Sequence, residues 1–497
     1  MLRVIRAATV GFGLATVAIA GAFDLTVVHV NDTHSHLEPT MIKGKPFGGF
    51  ARLSTLFKDL RAKEKNPIFL HGGDIFQGTI YYNVYKGLAD GHLMNLIGFD
   101  AVALGNHEFD DGPEGLIPFL RQTDFAKLCA NADFSAYPEI DQRVTPTKIL
   151  NIKGTKVGLI GLITPDLPFI SNMGKIQLVD LDASVTRAIS HLESQGVKIH
   201  IAVSHCGYAE EIGIAKRHPK LDVIVGGHSH SLLGDTGNPD LPKGLGEYPT
   251  KVGPVLVVQA WEWAKVAGRM RLTFDRNGVV TKVKGDVIPL DETIAEDPKI
   301  LSALQAFEKP IIALKQSVVG NAPTEITRRS GVMGNLIADA MLTATKSQGA
   351  QIALMNSGGM RGDLDAGPIT YSEAISVQPF GNTLVLLDLS GAELIATLEA
   401  GVRDAGPLQV SKGFRYVING QTVTATFEGT PIDPSATYRV VTNNFMARGG
   451  DKLTALAEAK GRRVDTGIVD LDALIAYLRA SETVELDTVP RIVQTRN

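Results

Sequence analysis

Five apolar runs in the first half of the chain each stop at a polar cluster carrying His, Asp or Asn. Phe23 to Val30 runs into Asn31-Asp32-Thr33-His34, and Pro67 to Leu70 into His71-Gly72-Gly73-Asp74. Ala101 to Leu104 runs into Gly105-Asn106-His107-Glu108-Phe109-Asp110. His200 to Ser204 ends at His205-Cys206-Gly207, and Leu221 to Val225 ends at Gly226-Gly227-His228-Ser229-His230. Stretches of helical period separate them, notably Ala51 to Lys65, where Leu53, Leu56, Phe57 and Leu60 share a face. Gly91 to Gly98 and Val185 to Glu193 are also read as helical. Alternating strand and helix with short connections predicts an α/β domain. In such sheets the ligand crevice lies outside the carboxyl ends of the strands, so the five tips are expected to converge on one site. A helix cap or turn accounts for any one tip, but not for five with metal-type residues at metal-type spacing.

The donors point to a particular chemistry. Asp32 and His34 are two apart, as are His228 and His230, so each pair faces one way in an extended tip. Asp74 follows two glycines that let its backbone crowd a cation, and Asn106 and His205 add two further donors. Mixed imidazole and carboxylate donors suit Zn, Mn or Fe rather than Ca or Mg. These seven residues exceed one tetrahedral zinc site. They suit two divalent ions about 3.5–4 Å apart that share a bridging carboxylate. Zn is the expected metal, with Mn or Co as alternatives. His107 is a proton carrier tunable near neutral pH, and Asp110 lies close enough to orient it. His36 is read as a solvated loop residue, with a turn towards the metal cluster as its alternative, and His71 as a packed one.

The second half has its own pattern. Val255 to Gln259 and Arg269 to Phe274 read as strands, with a hairpin turn at Asp275-Arg276-Asn277-Gly278. Asp297-Pro298 offers an N-cap and first-turn proline, ahead of Ile300, Leu301, Leu304 and Phe307 at helical spacing. A break is expected at Pro310, and the domain boundary is placed across residues 293–319. Beyond it, Gly331 to Thr345 reads as a tightly packed helix. Ile352 to Met355, Thr383 to Leu389 and Tyr438 to Thr442 read as strands. Phe380 and Phe445 stand in polar, glycine-rich loops. They either sandwich a flat base or anchor their loops to the core. Arg329 and Arg361, near glycines, either clamp a phosphate or lie free on the surface.

A net charge of -4 and a pI near 6.3 leave no basic footprint for nucleic acid. Arg3 and Arg6 precede an apolar run from Ala7 to Ala20 that ends in small residues, the layout of a secretory signal peptide over residues 1–22. That run is short for a membrane anchor, and the C-terminus lacks the hydrophobic tail of a lipid-anchor signal. An exported, periplasmic or extracellular protein is expected, with no stable membrane anchor. Cys129 and Cys206 follow apolar runs and are read as buried free thiols. No protein partner is deducible from the sequence.

The tip motifs resemble the signature series of the calcineurin-like metallophosphatases. Gln77-Gly78-Thr79, Val84-Tyr85-Lys86-Gly87 and Gly105 to Gly112 more narrowly resemble the 5'-nucleotidase family, particularly its ecto-5'-nucleotidase branch. Met333 to Ala340, Asn356 to Arg361, Pro379-Phe380-Gly381 and Asn444 to Asp451 resemble that family's C-terminal domain. The resemblance implies a four-layer α/β/β/α domain (23–292), a linker helix (293–319) and a smaller α/β nucleotide-binding domain (320–497). It implies one metal on Asp32, His34, Asp74 and His230, and another on Asp74, Asn106, His205 and His228. His107 and Asp110 become the catalytic dyad. Arg329 and Arg361 hold phosphate, Phe380 and Phe445 stack the base, Asn356 bonds it, and Asp451 takes the ribose hydroxyls. The activity implied is hydrolysis of nucleoside 5'-monophosphates to nucleoside and phosphate. The rivals are a 2',3'-cyclic-nucleotide phosphodiesterase with 3'-nucleotidase activity, a nucleotide-sugar pyrophosphatase, a sulfur-compound hydrolase and a catalytically silent nucleotide-binding protein. Two departures stand out: His230 replaces the Gln or Asn that family members often carry, and Lys452-Leu453 replace a Gly and an aromatic after Asp451.

Overall fold

The computed structural model describes residues 22–495; the predicted signal peptide lies outside them except for Ala22. Two sheets stack face to face in the first domain. One has seven strands, with Phe23–Val30, Pro67–His71 and Ala101–Ala103 adjacent at its centre. The other has six and is built around Thr155–Ile163, Ile199–His205, Val223–Val225 and Val255–Val258. The central neighbours in each sheet are parallel, so their carboxyl ends lie along one edge.

The period of two explains the layering. Leu25 and Val27 face the second sheet, where Leu159, Ile201, Val203 and Val225 close an apolar interior. Val28 and Val30 face the other way, onto helices Phe50–Lys63 and Leu88–Ile97. Helix Leu181–Ser194 covers the outer face of the second sheet through Val185, Ile189 and Leu192. The result is the expected four-layer α/β/β/α arrangement.

Helix Pro298–Glu308 begins where the sequence placed it, with the Asp297 carboxylate accepting from the Lys299 amide. The helix ends before Pro310, and a single turn, Ile312–Lys315, follows. Ile300 and Leu304 join the first-domain helices to the second-domain core. The second domain is a five-stranded mixed sheet centred on Ile352–Met355, Thr437–Asn443 and Thr383–Ser390. Helices Gly331–Thr345 and Asp470–Ser481 cover one face. Helix Gly391–Ala400 and a small four-stranded sheet, unread in the sequence, cover the other. Cys129 and Cys206 are both buried free thiols.

Candidate active site

The five strand tips meet at the edge where the carboxyl ends gather. Asp32, His34, Asp74 and His230 each offer a donor atom within 4.8 Å of the others, and so do Asp74, His205 and His228. Asp74 belongs to both groups. Asn106 follows strand Ala101–Ala103; its Oδ1 is buried and has no hydrogen-bond partner. An orphaned neutral oxygen beside a carboxylate and imidazole cluster is costly unless a cation completes it. The donor set therefore fits a divalent metal pair, with Asp74 common to both donor groups.

Backbone conformation makes this crowding feasible. Gly73 is left-handed at φ 89°, and a Cβ there would lie 2.6 Å from Nδ1 of His205. A Cβ on Gly227 would lie 2.4 Å from the Gly72 carbonyl. Glu108 ties two tips together. Its buried carboxylate accepts from the amides of Asp74, Ile75, Phe76 and Gly105. Burial, then the charge of Asp74, pushes the Glu108 carboxyl up to about 7.

Three of the four candidate ligand histidines are held by their second nitrogens. Nδ1 of His34 faces the Phe76 carbonyl at 2.9 Å, and Nδ1 of His205 faces the Gly72 carbonyl at 2.7 Å. His230 differs: its Nδ1 meets the Glu262 carboxylate at 2.5 Å. Burial opposes charge on all these rings. It wins at His228, which falls to about 4. At His205 the carboxylates of Asp74 and Asp32 outweigh burial and lift the ring to about 10. Burial likewise disfavours the Asp74 carboxylate, yet His205 and His107 hold it well below its ordinary range. A cation held by these residues would take over this balancing role, because metal ligands must be deprotonated.

His107 and Asp110 form a pair, Nδ1 to Oδ2 at 2.6 Å, on the one-turn helix His107–Phe109. The Asn106 side chain does not cap that turn. His107 Nε2 faces the cluster, 3.9 Å from Asp74 Oδ2. Burial opposes a charged His107 ring, but Asp110 and Asp74 raise its pKa overall. Ser171 donates to the other Asp110 oxygen at 2.8 Å.

The second domain reaches into this site. Arg361 Nη2 lies 3.3 Å from His34 Nε2 and 3.5 Å from His230 Nε2. The Phe380 ring stacks on His107, with centroids 5.2 Å apart. Arg328, Arg329 and Arg361 line a cavity of about 370 Å³ beside His228 and His230, with Ser357 and Gln409. Asn356 donates to Asp451 at 2.7 Å and accepts from Asn443 at 3.1 Å. Phe445 is half-buried against the second-domain core, with Gly450 directly behind its ring. Lys452 forms an ion pair with Asp166 of the first domain at 3.1 Å, so the unusual residue after Asp451 bridges the domains.

Some residues were not legible in the sequence. His36 is not a solvated loop residue: its ring stacks on Trp263 at 4.0 Å, and its Nδ1 meets the His34 carbonyl at 2.8 Å. Strand Val255–Val258 supplies a sixth tip, Gln259-Ala260-Trp261-Glu262-Trp263, which contains a carboxylate but no histidine. Arg328, rather than its neighbour Arg329, makes the ionic contact to that tip. The signal was the run itself, which holds the chain's 2 tryptophans immediately after a strand.

Residues 25–232 match the model for the calcineurin-like phosphoesterases, and residues 315–458 match that for the 5'-nucleotidase C-terminal domain. The chain is 33% identical to a probable 5'-nucleotidase of Treponema pallidum, over 99% of this chain and 98% of the relative. It is 32% identical to the mouse 5'-nucleotidase, over 94% and 89% of the two chains. A 5'-nucleotidase precursor of Thermus thermophilus superposes with a TM-score of 0.91 at 42% identity, covering 96% of this chain and 100% of that one. With both domain models matched in order and relatives aligned nearly end to end, the chain belongs to the 5'-nucleotidase family of metallophosphatases.

Proposed function

We propose that this protein is a metal-dependent phosphomonoesterase that hydrolyses nucleoside 5'-monophosphates to nucleoside and phosphate. The observation that carries the reading is the pair of ligand groups sharing Asp74, set beside His107–Asp110 and covered by Arg361 and Phe380. Relatives named 5'-nucleotidase that align over both domains support it. Asp32, His34, Asp74 and His230 would hold one ion; Asp74, Asn106, His205 and His228 would hold the other. Zn is the metal favoured by this donor set, with Mn or Co able to replace it. When bound, the pair supplies water activation and neutralises phosphate charge.

The chain's own groups do the rest. Asp110 accepts from Nδ1–H of His107 and, with Asp74, favours the charged ring, in which Nε2, facing the cluster, carries the second proton. That proton serves the leaving 5' oxygen or the phosphoryl group being transferred. Arg361, and Arg329 across the cavity, neutralise phosphate oxygens, the main lever in a loose phosphoryl-transfer transition state. Phe380 and Phe445 stack the base, Asn356 bonds it, and Asp451 takes the ribose hydroxyls. The site draws on both domains, so movement about the joint at residues 293–319 would gate turnover.

The basic N-terminus, apolar run and small residues of 1–22 support export to the periplasm or outside the cell. No helix among the described residues is long and apolar enough to cross a membrane. Phosphate release from AMP by protein loaded with Zn, Mn or Co tests the whole reading. Two ions per chain and release of adenosine are expected. A protein holding two ions that frees no phosphate from any nucleoside monophosphate overturns it.

A further inference from the structure

Glu262 is a first-domain carboxylate that joins the far nitrogen of a candidate metal-site histidine to the other domain. It is 1% exposed, in the tip that follows strand Val255–Val258. The tip is tied to two ligand loops. Asn31 bonds both the Ala260 amide, at 2.8 Å, and the Trp261 carbonyl, at 2.6 Å. The Trp263 amide donates to the Asp32 carbonyl at 2.7 Å, and the Trp261 amide to the Ser231 carbonyl at 3.0 Å. Trp261, Trp263 and Ala264 all hold left-handed backbone, at φ 63°, 59° and 52°. Such a run persists only where its surroundings over-determine it.

The carboxylate has three partners. Oε2 meets His230 Nδ1 at 2.5 Å. Oε1 accepts from Lys265 Nζ at 2.9 Å. Arg328 Nη2, from the second domain, lies 3.1 Å from Oε1 and 3.3 Å from Oε2. Lys265 itself is wedged between the two indoles, 3.8 Å from the Trp261 ring and 4.1 Å from the Trp263 ring. Arg328 also reaches the Arg361 carbonyl at 3.0 Å and lies over Trp263 at 5.2 Å.

A carboxylate on the far nitrogen of a ligand histidine fixes its tautomer and raises its donor strength. His34 and His205 have backbone carbonyls in that place, whose strength the rest of the protein cannot adjust. His230 has a carboxylate, and the other domain touches that carboxylate. We propose that Glu262 is a positioning residue that presents Nε2 of His230 to the first metal site, and that Arg328 steadies it only when the second domain is docked. Domain docking and metal affinity at the Asp32–His34–Asp74–His230 site are then coupled. Arg328 holds Glu262 in its docked geometry, so an undocked second domain leaves His230 less firmly oriented and its ion more weakly held. This inference rests on the two-ion reading above.

The test is Zn2+ titration of the metal-free full chain against a competing chelator, for wild type, Glu262→Gln and Arg328→Ala. Wild type takes two ions. Glu262→Gln is expected to weaken one ion by about 10- to 100-fold and leave the other within about twofold. Arg328→Ala is expected to weaken the same ion by a smaller factor. Repeating both in an Asn106→Ala background, which cripples the second site, assigns the loss to the first. Two Zn2+ bound with wild-type affinity by both variants overturns the positioning role. Wild-type affinity in Arg328→Ala alone overturns the coupling. Should Glu262→Gln fail to fold, Arg328→Ala, at a half-buried position, still decides the coupling, and Glu262→Asp, which keeps the charge but shortens its reach to His230, decides the positioning role by the same titration. A wild-type chain that does not take two ions removes the metal reading of the site itself.

Discussion

The Phe380 ring lies nearly flat on the His107 ring, with planes 16° from parallel. The two residues belong to different domains, and Arg361 lies over the same Phe380 ring at 5.7 Å. One phenylalanine therefore roofs the proposed proton donor and borders the proposed phosphate ligand. Phe445 has no such second duty. Phe445→Ala should raise KM for AMP by roughly 5- to 100-fold, the worth of one stacked base, with kcat little changed. Phe380→Ala should raise KM and lower kcat together, because His107 loses its cover. Steady-state kinetics of the two variants separates these outcomes.

His107→Ala should leave two ions per chain and lower kcat on the order of 100- to 10,000-fold, the range of a lost general acid. Asp110→Asn should have a smaller effect in the same direction, since the ring stays but its Nδ1 partner loses its charge. Metal content by elemental analysis, beside turnover, checks both. Unchanged turnover in His107→Ala would sink the dyad assignment.

Asp74 lies in both candidate ligand groups, and Asn106 is proposed to hold the second ion alone. Asp74→Asn should therefore deplete both ions after gel filtration in metal-free buffer, whereas Asn106→Ala should deplete one. Equal loss in the two variants would rule out a bridging Asp74.

Much of this candidate site was readable because the residue types that suit a metal also interrupt apolar strands. Asp32, Asp74, Asn106 and His228 each follow such a strand within a few positions, and His205 is the last residue of one. The spacing of Leu53, Leu56, Phe57 and Leu60 marked the helix that covers the sheet. Glu262 was not readable in that way. Its tip carries no histidine, and its importance comes from His230 and Arg328, 32 and 66 residues away in sequence. Arg328 and Arg329 are adjacent and chemically identical, and only the packed domains distinguish the half-buried one from the exposed one. Helix Gly391–Ala400 escaped because Ala and Gly dilute its apolar stripe.

Asp90 offers a prediction away from the chemistry. It is wholly buried in helix Leu88–Ile97, and burial pushes its carboxyl from 3.8 up to about 7. The unfolded chain ionises this group from pH 4 upward, whereas the folded chain resists until near pH 7. Its ionisation therefore costs stability progressively between those values and fully above them. Asp90→Asn removes the cost. The melting temperature of the metal-loaded variant should match wild type near pH 4 and exceed it most above pH 7. The upper bound on the gain is about 4 kcal/mol. A constant difference across that range would contradict the buried acid.

The two indoles that flank Lys265 give the protein a built-in optical probe. Trp261 and Trp263 are the only tryptophans among its 497 residues, and both lie within van der Waals or stacking distance of a charged or aromatic group at the site. Intrinsic emission excited at the indole band thus reports on one loop and nothing else. An ammonium group between the two indoles, and an imidazole stacked on Trp263, quench or shift that emission according to their distance. Stopped-flow fluorescence of the unlabelled protein can therefore follow metal loading and domain approach in real time.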